Sequence, residues 1–251
     1  MTFRSRPVPD VAALAADAGL EIVEWGADAH VPPGDIEAAR AARRATQARG
    51  LGMGSYGSYH KPGHSDPAEF AAIVATAAEL GAPRIRVWAG TSGSAHTGEP
   101  ERARITSALR GCVEQAAAAG LDVIVEHHVE SLTDDLGSAL RLHAQVGHPG
   151  LARHWQPREL PVTATCLAEV RTLRPTSVHA FSWGADGFTE RFPLAERADL
   201  WEAVLVELSG DGADHEVLLE FVPGDSADSL RRDAASLRGW RDAARSAVGV
   251  R

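Results

Sequence analysis

The sequence predicts a single (β/α)8 barrel (a TIM barrel), and the main evidence is a regular alternation of strand-like and helix-like segments. Short runs of β-branched and apolar residues alternate with alanine-rich helical stretches throughout the 251 residues. That length is close to the roughly 250 residues of a typical barrel of this kind. Because no linker or low-complexity segment interrupts the alternation, we expect one domain over residues 1–251.

Seven segments have the composition of buried strands, and each is followed by a helical stretch. Strands separated by helices pair in parallel through right-handed crossovers, and eight such units close into a barrel. We place the eighth strand near Thr2–Arg4, before the first helix. A doubly wound open sheet is the alternative, but no GxGxxG fingerprint follows an early strand. The seven clear strands are predicted at Leu20–Gly26, Gly52–Gly57, Arg84–Gly90, Asp122–His128, Leu151–Pro157, Ser177–Trp183 and Glu216–Val222.

The helical stretches have recognisable ends. Most strands follow a glycine or a proline, because glycine adopts the left-handed conformation that ends a helix and proline prevents its continuation. Asp66, Ser131 and Asp225 are predicted N-caps. The helices are predicted around residues 10–18, 34–49, 66–80, 99–119, 131–146, 162–173, 195–209 and 226–245.

Charge and cysteine content limit the partners and the compartment that we expect. The formal net charge is −9, and Lys61 is the only lysine. Because an acidic chain without a basic run is repelled by phosphate backbones and anionic lipids, we expect no nucleic-acid partner and no membrane partner. Cys112 and Cys166 form neither a zinc-type spacing nor a disulfide framework, and no apolar run approaches the length of a membrane span. These features predict a cytoplasmic protein.

Charged and polar side chains are concentrated near the carboxyl ends of the predicted strands. Barrel enzymes place their active sites there, whereas buried strands are otherwise nearly all apolar. Singly, each residue has a structural explanation, such as an ion pair for Arg86 or core packing for His154. Together they favour an active site, because a carboxylate, an amide, an imidazole and a second carboxylate occupy corresponding positions near the ends of four strands in chain order. These are Glu126, Gln156, His179 and Glu220.

Five segments carry a resemblance to a known family: AGLEIVEWGADAH, LGAPRIRVWAG, GLDVIVEHH, SVHAFSW and EVLLEFV, in that order. With them the chain resembles the xylose-isomerase-like barrel family, the superfamily of sugar isomerases and epimerases, over nearly its whole length. The resemblance implies a divalent metal held by four residues, two of which also act as the acid/base pair. The implied metal ligands are Glu126, Gln156, His179 and Glu220, and the implied acid/base pair is Glu126 with Glu220.

One position departs from the family's pattern. The segment WQPRE stands where the family usually has an aspartate followed three residues later by a histidine, so this chain has Gln156 and Glu159 there. An amide oxygen can bind Mn²⁺, Mg²⁺, Co²⁺ or Zn²⁺ but adds no negative charge, which predicts weaker binding. His154, with the same strand parity, is an alternative ligand. A diverged substrate class and a site without metal both stay open.

The leading hypothesis is isomerisation or epimerisation beside the carbonyl of an unphosphorylated sugar-like or polyol-like substrate. This chemistry needs a base, an acid and a positive centre beside the enediolate oxygen. A metal-assisted lyase or dehydratase acting on a sugar-like compound is the alternative, and a non-catalytic sugar-binding or partner-binding barrel is a third hypothesis. Association into a homo-oligomer is left open. The residues expected to bind the substrate are Glu24, His60, Arg86, Trp88, His128, His154, Trp183 and Arg191.

Overall fold

Seven parallel strands form a nearly closed barrel with helices between them, which confirms the predicted fold class. The structure is a computed structural model, and it describes residues 2–158 and 162–249. The parallel sheet has the order β1-β2-β3-β4-β5-β6-β9, and β7 and β8 form a separate antiparallel hairpin. The strands are β1 (Ile22–Gly26), β2 (Gly52–Gly57), β3 (Arg84–Val87), β4 (Asp122–Glu126), β5 (Leu151–Trp155), β6 (Ser177–Ala180), β7 (Trp183–Gly184), β8 (Gly187–Arg191) and β9 (Glu216–Leu219).

Eight helices lie at the positions that the sequence predicts, within a few residues at each end. Gly81 and Gly147 end their helices in the left-handed conformation, as expected for glycine at this position. Short 3-10 turns precede α4, α7 and α8. The helices are α1 (Val8–Asp17), α2 (Ile36–Ala48), α3 (Glu69–Leu80), α4 (Glu99–Ala118), α5 (Leu136–Val146), α6 (Thr163–Leu173), α7 (Ala198–Gly210) and α8 (Ala227–Gly249).

The eighth strand predicted near Thr2–Arg4 is wrong, because this segment forms a turn. The amide of Arg6 donates to the carbonyl oxygen of Phe3 at 3.0 Å, and Phe3 has a φ of 57°, which no β-strand adopts. The Phe3 side chain is buried with Val222 and Leu230, so apolar packing rather than strand pairing fixes the segment. A cavity of about 550 Å³ remains between β1 and β9, and its lining includes Glu24 and His179.

The three predicted helix caps are displaced by a few residues. Asp66 accepts from the amide of Ala68 at 2.9 Å, one turn before α3 begins. Asp135, rather than Ser131, caps α5 by accepting from the amide of Ser138 at 3.0 Å. Ahead of α8, the hydroxyl of Ser226 accepts from the amide of Ser229 at 3.1 Å. Ser226 thus has the capping role that was predicted for Asp225. The acceptors were misplaced because several polar residues stand close together before each of these helices.

Buried tryptophans join the strands to the helices around them. The indole N–H of Trp25 in β1 donates to Thr46 of α2 at 3.0 Å, and that of Trp155 in β5 donates to Glu169 of α6 at 2.9 Å. Trp25 and Trp155 have no exposed surface. A buried indole N–H needs such a partner, so each bond fixes one helix against its strand. Within the described residues, no helix combines the length and the apolar character needed to cross a membrane.

Both cysteines are predicted to be inert in the folded protein. Cys112 of α4 and Cys166 of α6 are buried, and burial raises the pKa of Cys112 to about 12 and that of Cys166 to about 11. The thiolate is the nucleophile, so neither thiol should react with a soluble aromatic disulfide reagent at pH 8 before the chain unfolds. Two thiols should be titrated in guanidinium chloride. One thiol that reacts in native protein as fast as free cysteine would contradict the burial.

Candidate active site

The guanidinium of Arg86, on β3, lies between two carboxylates at the barrel mouth. Its Nη2 donates to Glu24 Oε1 at 2.7 Å, its Nε donates to the same carboxylate, and its Nη1 donates to Oε2 of Glu126. Burial by itself would lower the pKa of Arg86, but Glu126 and Glu24 raise it well above its ordinary value. Burial would likewise raise the pKa of Glu24, yet Arg86 and His179 hold it below its usual range. Arg86 therefore links the two carboxylates in one largely buried network.

A glycine on β2 leaves the space for this network. Gly57 pairs with Arg86 in the register of β2 and β3. A Cβ atom at position 57 would lie 2.8 Å from Nη2 of Arg86 and 3.3 Å from Oε1 of Glu24. Any larger residue would therefore displace the ion pair, which explains why this strand ends in a glycine.

Glu126, the last residue of β4, is held through one carboxylate oxygen. Its Oε2 accepts from Arg86 and also from the indole N–H of Trp88. Among the hydrogen bonds of the described residues, none takes Oε1 of Glu126. Its side chain is about 5% exposed. One oxygen thus fixes the orientation of the group, and the second is left to accept a proton or a ligand.

His179, on β6, connects the second group of polar side chains. Its Nδ1 lies 3.0 Å from Oε1 of Gln156 and 3.1 Å from Oε2 of Glu220, and its Nε2 lies 3.7 Å from Oε1 of Glu24. Burial opposes the charged ring, but Glu220 and Glu24 raise the pKa of His179 to about 9. Burial would raise the pKa of Glu220, and His179 lowers it instead. Glu24 therefore links this group to the Arg86 network.

The donor atoms around His179 have a spacing that suits a divalent cation. Ligands on neighbouring corners of an octahedron with bonds of about 2.1 Å are about 3 Å apart, as Nδ1 of His179 is from the oxygens of Gln156 and Glu220. In residues 2–158 and 162–249, no three His, Cys, Asp or Glu side chains are arranged to hold a metal. The group around His179 reaches three donor atoms only when the amide oxygen of Gln156 is counted. The fourth implied ligand, Glu126, is instead held by Arg86 and Trp88. Glu159 lies outside the described residues.

Two of the predicted substrate-binding residues form an aromatic wall beside Glu126. His128 stacks on the ring of Trp88 with centroids 4.2 Å apart, and Tyr59 meets the same indole edge-on at 5.7 Å. The Nδ1 atom of His128 contacts the carbonyl oxygen of Val129, which can only accept. Nδ1 of His128 therefore carries the hydrogen that donates to this oxygen.

A second aromatic wall is built by the β7–β8 hairpin and the segment after β9. Trp183 stacks on Phe181 at 4.3 Å and contacts Phe221 at 4.8 Å. Arg191 lies over the Phe221 ring at 5.2 Å and pairs with Asp225 at 3.2 Å. Phe221 has a φ of 51°, a conformation that costs energy for a bulky residue and that turns the chain sharply after Glu220. The hairpin is thereby fixed to the end of β9.

His60 and His154 have surroundings of a different kind. His60 is buried against Phe70 of α3, with ring centroids 5.0 Å apart, and burial lowers its pKa. His154 is buried beside His179, and its Nδ1 lies 3.0 Å from the hydroxyl of Ser177. Burial and the neighbouring His179 hold the pKa of His154 well below its ordinary value. Both rings are therefore neutral. His154 packs against His179 from the neighbouring strand β5.

Three residues at the mouth were missed by sequence reasoning: Tyr59, Lys61 and Phe221. Tyr59 and Phe221 have positive φ values, and such strain at non-glycine residues is often found at functional sites. No sequence pattern reveals it. Lys61 did give a signal, because it is the only lysine in the chain, and its ammonium lies 4.9 Å from the centroid of the Trp88 ring.

Comparison with known proteins places the chain among barrel enzymes. The family model described as Xylose isomerase-like TIM barrel matches residues 12–154. A 3-dehydroshikimate dehydratase from Bacillus anthracis is 38% identical over 68 residues, which are 27% of this chain and 24% of the dehydratase. The shared segment thus spans about a quarter of that relative.

Solved structures show the same fold along almost the whole chain. The probable 3-DHS dehydratase AsbF from Bacillus anthracis has a TM-score of 0.73 and 19% identity, with 91% of this chain and 92% of that chain covered. An L-ribulose 3-epimerase has a TM-score of 0.72 and 16% identity, with coverages of 97% and 91%. A xylose isomerase-like TIM barrel protein from Mycobacterium smegmatis, in complex with magnesium, has a TM-score of 0.64 and 14% identity, with coverages of 96% and 92%.

Removing the Arg86 charge is predicted to destabilise the fold strongly. An Arg86→Met substitution would leave Glu24 and Glu126 buried without their cation, and breaking a buried pair in this way costs about 3–5 kcal/mol. Arg171→Met, which removes a surface pair with Glu207, should cost at most about 1 kcal/mol. Urea unfolding followed by circular dichroism measures both free energies. Equal losses for the two variants would show that the buried network contributes no more than a surface pair.

Proposed function

This chain belongs to the xylose isomerase-like TIM barrel family, and from that premise we propose that it is an enzyme that removes a carbon-bound proton beside the carbonyl of a sugar-like or polyol-like substrate. The observation that carries the proposal is the pair of largely buried carboxylates, Glu126 at the end of β4 and Glu220 after β9, joined through Arg86, Glu24 and His179. Acidic side chains are this deeply buried mainly where they have a function or a partner, and Glu220 also lines the cavity between β1 and β9.

Glu126 is proposed as the base. Arg86 and Trp88 both bind its Oε2 and fix the plane of the carboxylate, so that Oε1 is available to a proton on the substrate. Once protonated, Glu126 is proposed to return the proton to the neighbouring carbon. Return to the opposite face is proposed to use Glu220, which follows a strand on another side of the barrel and would first take a proton from the protonated ring of His179 beside it. General acid–base catalysis of this kind contributes about 10²–10⁴ in rate. Isomerisation or epimerisation results, depending on where the proton returns.

A divalent cation is proposed to be held by Gln156, His179 and Glu220, with Glu126 as the fourth ligand implied by the family resemblance. The 3.0 Å and 3.1 Å separations from Nδ1 of His179 support the first three. When bound, such an ion supplies positive charge beside the enediolate oxygen of the substrate. The magnesium complex of a structural neighbour supports a cation of this class.

The remaining candidate residues are proposed to shape and orient the substrate. Trp88 and His128 form one wall of the mouth, and Trp183 forms the other with Arg191 behind it. Arg86 holds Glu126 in place, and Glu24 binds Arg86 and stands beside His179. His60 and His154 are buried supports of the loops and of His179. The half-buried rings Trp88 and Trp183 exclude water from opposite sides of the substrate.

Dehydration is the second candidate reaction, and the 38% identical segment shared with a 3-dehydroshikimate dehydratase favours it. It begins with the same removal of a proton beside a carbonyl, but a hydroxyl group then leaves the next carbon. The half-buried aromatic rings of both walls also suit a flat ring. A non-catalytic binding barrel is the third hypothesis, and it predicts no turnover together with ligand affinity that can survive replacement of either glutamate. A cytoplasmic location, self-association and the absence of nucleic-acid and membrane partners stay predictions.

Position 156 is predicted to set the affinity for the cation. Gln156→Asp adds a negative charge and should tighten Mn²⁺ binding on the order of tenfold, whereas Gln156→Ala removes an oxygen donor and should weaken it by a similar factor. Calorimetric titration with Mn²⁺ measures both. The site assignment would be lost if Gln156→Ala bound Mn²⁺ as tightly as the original chain.

Both glutamates are predicted to be essential for turnover. Glu126→Gln and Glu220→Gln keep the shape of each side chain and should reduce turnover by about 10²–10⁴. The assays are proton exchange and epimerisation of L-ribulose, and loss of water from 3-dehydroshikimate. Glu207→Gln, in a surface ion pair, serves as the control. Turnover of one substrate decides between the two reactions, and an active protein that tolerates both substitutions would refute the acid/base pair.

A further inference from the structure

Lys61 is a cation at the barrel mouth without an acidic partner. The chain has 34 Asp and Glu residues, and Lys61 is its only lysine. Even so, no ion pair among residues 2–158 and 162–249 includes it. Its side chain is half-buried, and its ammonium lies 4.9 Å from the Trp88 ring centroid. An ammonium over an aromatic face is attracted to it but keeps its charge for another group.

Hydrogen bonds hold the backbone around Lys61 in a tight turn, and this turn fixes the point from which the side chain extends. The carbonyl oxygen of Lys61 accepts from the amides of His64 and Ser65 at 2.8 Å and 2.9 Å, and its amide donates to the hydroxyl of Ser65 at 3.0 Å. The preceding residue, His60, accepts from the backbone amide of Trp88 at 3.0 Å. This tight turn is therefore attached directly to the end of β3, where the candidate active site begins.

A single indole connects this cation to the proposed base. The ring of Trp88 receives the ammonium of Lys61 on its face, while its N–H donates to Oε2 of Glu126. His128 stacks on the same ring. A substrate whose reacting carbon lies at Glu126 would thus extend along Trp88 to Lys61 with a group attached at the far end of its skeleton.

Three other cations of the mouth are already paired. Arg86 is bound by two carboxylates, Arg191 by Asp225, and Arg4 by Asp28. Binding an anionic group with one of these arginines would first require breaking an existing pair, whereas Lys61 needs no such exchange. A lone ammonium also matches a singly charged carboxylate better than a phosphate dianion, which usually takes several donors.

We propose that the ammonium of Lys61, held over the face of Trp88, forms an anion subsite that binds a carboxylate on the substrate. The substrate class is then a hydroxylated carbonyl compound that carries a carboxylate several bonds from the reacting carbon. This inference deepens the proposed function and rests on it for the position of the reacting carbon. It is independent of which reaction follows the removal of the proton.

The test uses shikimate and its methyl ester as probes of the full-length protein. Shikimate is a cyclic triol carboxylate without a ketone, so it can bind but cannot react by the proposed chemistry, and the ester differs by the loss of the charge. Calorimetry should show shikimate binding about tenfold more tightly than the ester, as expected for one hydrogen bond to a charged group. Lys61→Met should abolish this preference, and Lys61→Arg should retain most of it.

Matched variants separate this subsite from general charge effects and from catalysis. Arg104→Met removes a nearby surface cation that pairs with Glu101, and it should leave the preference unchanged. Glu220→Gln should still prefer shikimate to its ester, because binding at Lys61 does not need turnover. The melting temperature of Lys61→Met should equal that of the original chain.

Three results would overturn the inference. Shikimate could fail to bind the original chain, or Lys61→Met could keep the preference for the acid over the ester. Inorganic phosphate could also bind more tightly than shikimate, and Lys61→Met could abolish this phosphate binding. That result would assign the subsite to a phosphate ester. An inactive enzyme that nonetheless shows the Lys61-dependent preference would refute the proposed reaction and leave the subsite standing.

Discussion

The buried guanidinium of Arg86 is the interaction on which the rest of the site depends. It pairs with both Glu24 and Glu126, two largely buried carboxylates that would otherwise repel each other. Glu24 then stands beside His179, which in turn binds Glu220, so the orientation of four strand ends follows from one side chain. Gly57 has no side chain and so leaves the space that this arrangement requires.

Periodicity alone predicted most of the barrel, because the fold depends on where apolar runs begin and end. All seven clear strands and all eight helices were found near their predicted positions. The strand predicted at Thr2–Arg4 was wrong for a physical reason. Phe3 buries its side chain against Val222 while its backbone forms a turn, and residue composition does not distinguish such a turn from a short strand. The ends of strands were also overestimated, so Gln156 and Glu220 lie just beyond β5 and β9.

The candidate site was only partly predictable, since its contacts join residues far apart in the chain. The structure brings Gln156, His179 and Glu220 into contact, and their common position near the ends of three strands is the feature that the sequence reveals. It could not show that Glu126 is bound by Arg86 and Trp88 instead of touching His179. The aromatic wall at Phe221 was likewise inaccessible, because it depends on a positive φ and on the β7–β8 hairpin, whose residues carry no strong strand signal.

Two residues of this mouth, Gln156 and Lys61, would both make the site more favourable for an anionic substrate. Three carboxylates line the site, and Arg86 neutralises one of them. A divalent cation would neutralise the other two, so an amide at position 156 would leave the occupied site without net charge. An aspartate there would leave one negative charge and would repel an anionic substrate. Gln156 would avoid that repulsion, and Lys61 would add attraction at the far end of Trp88. The amide that is expected to weaken metal binding would therefore also admit a carboxylate beside the metal.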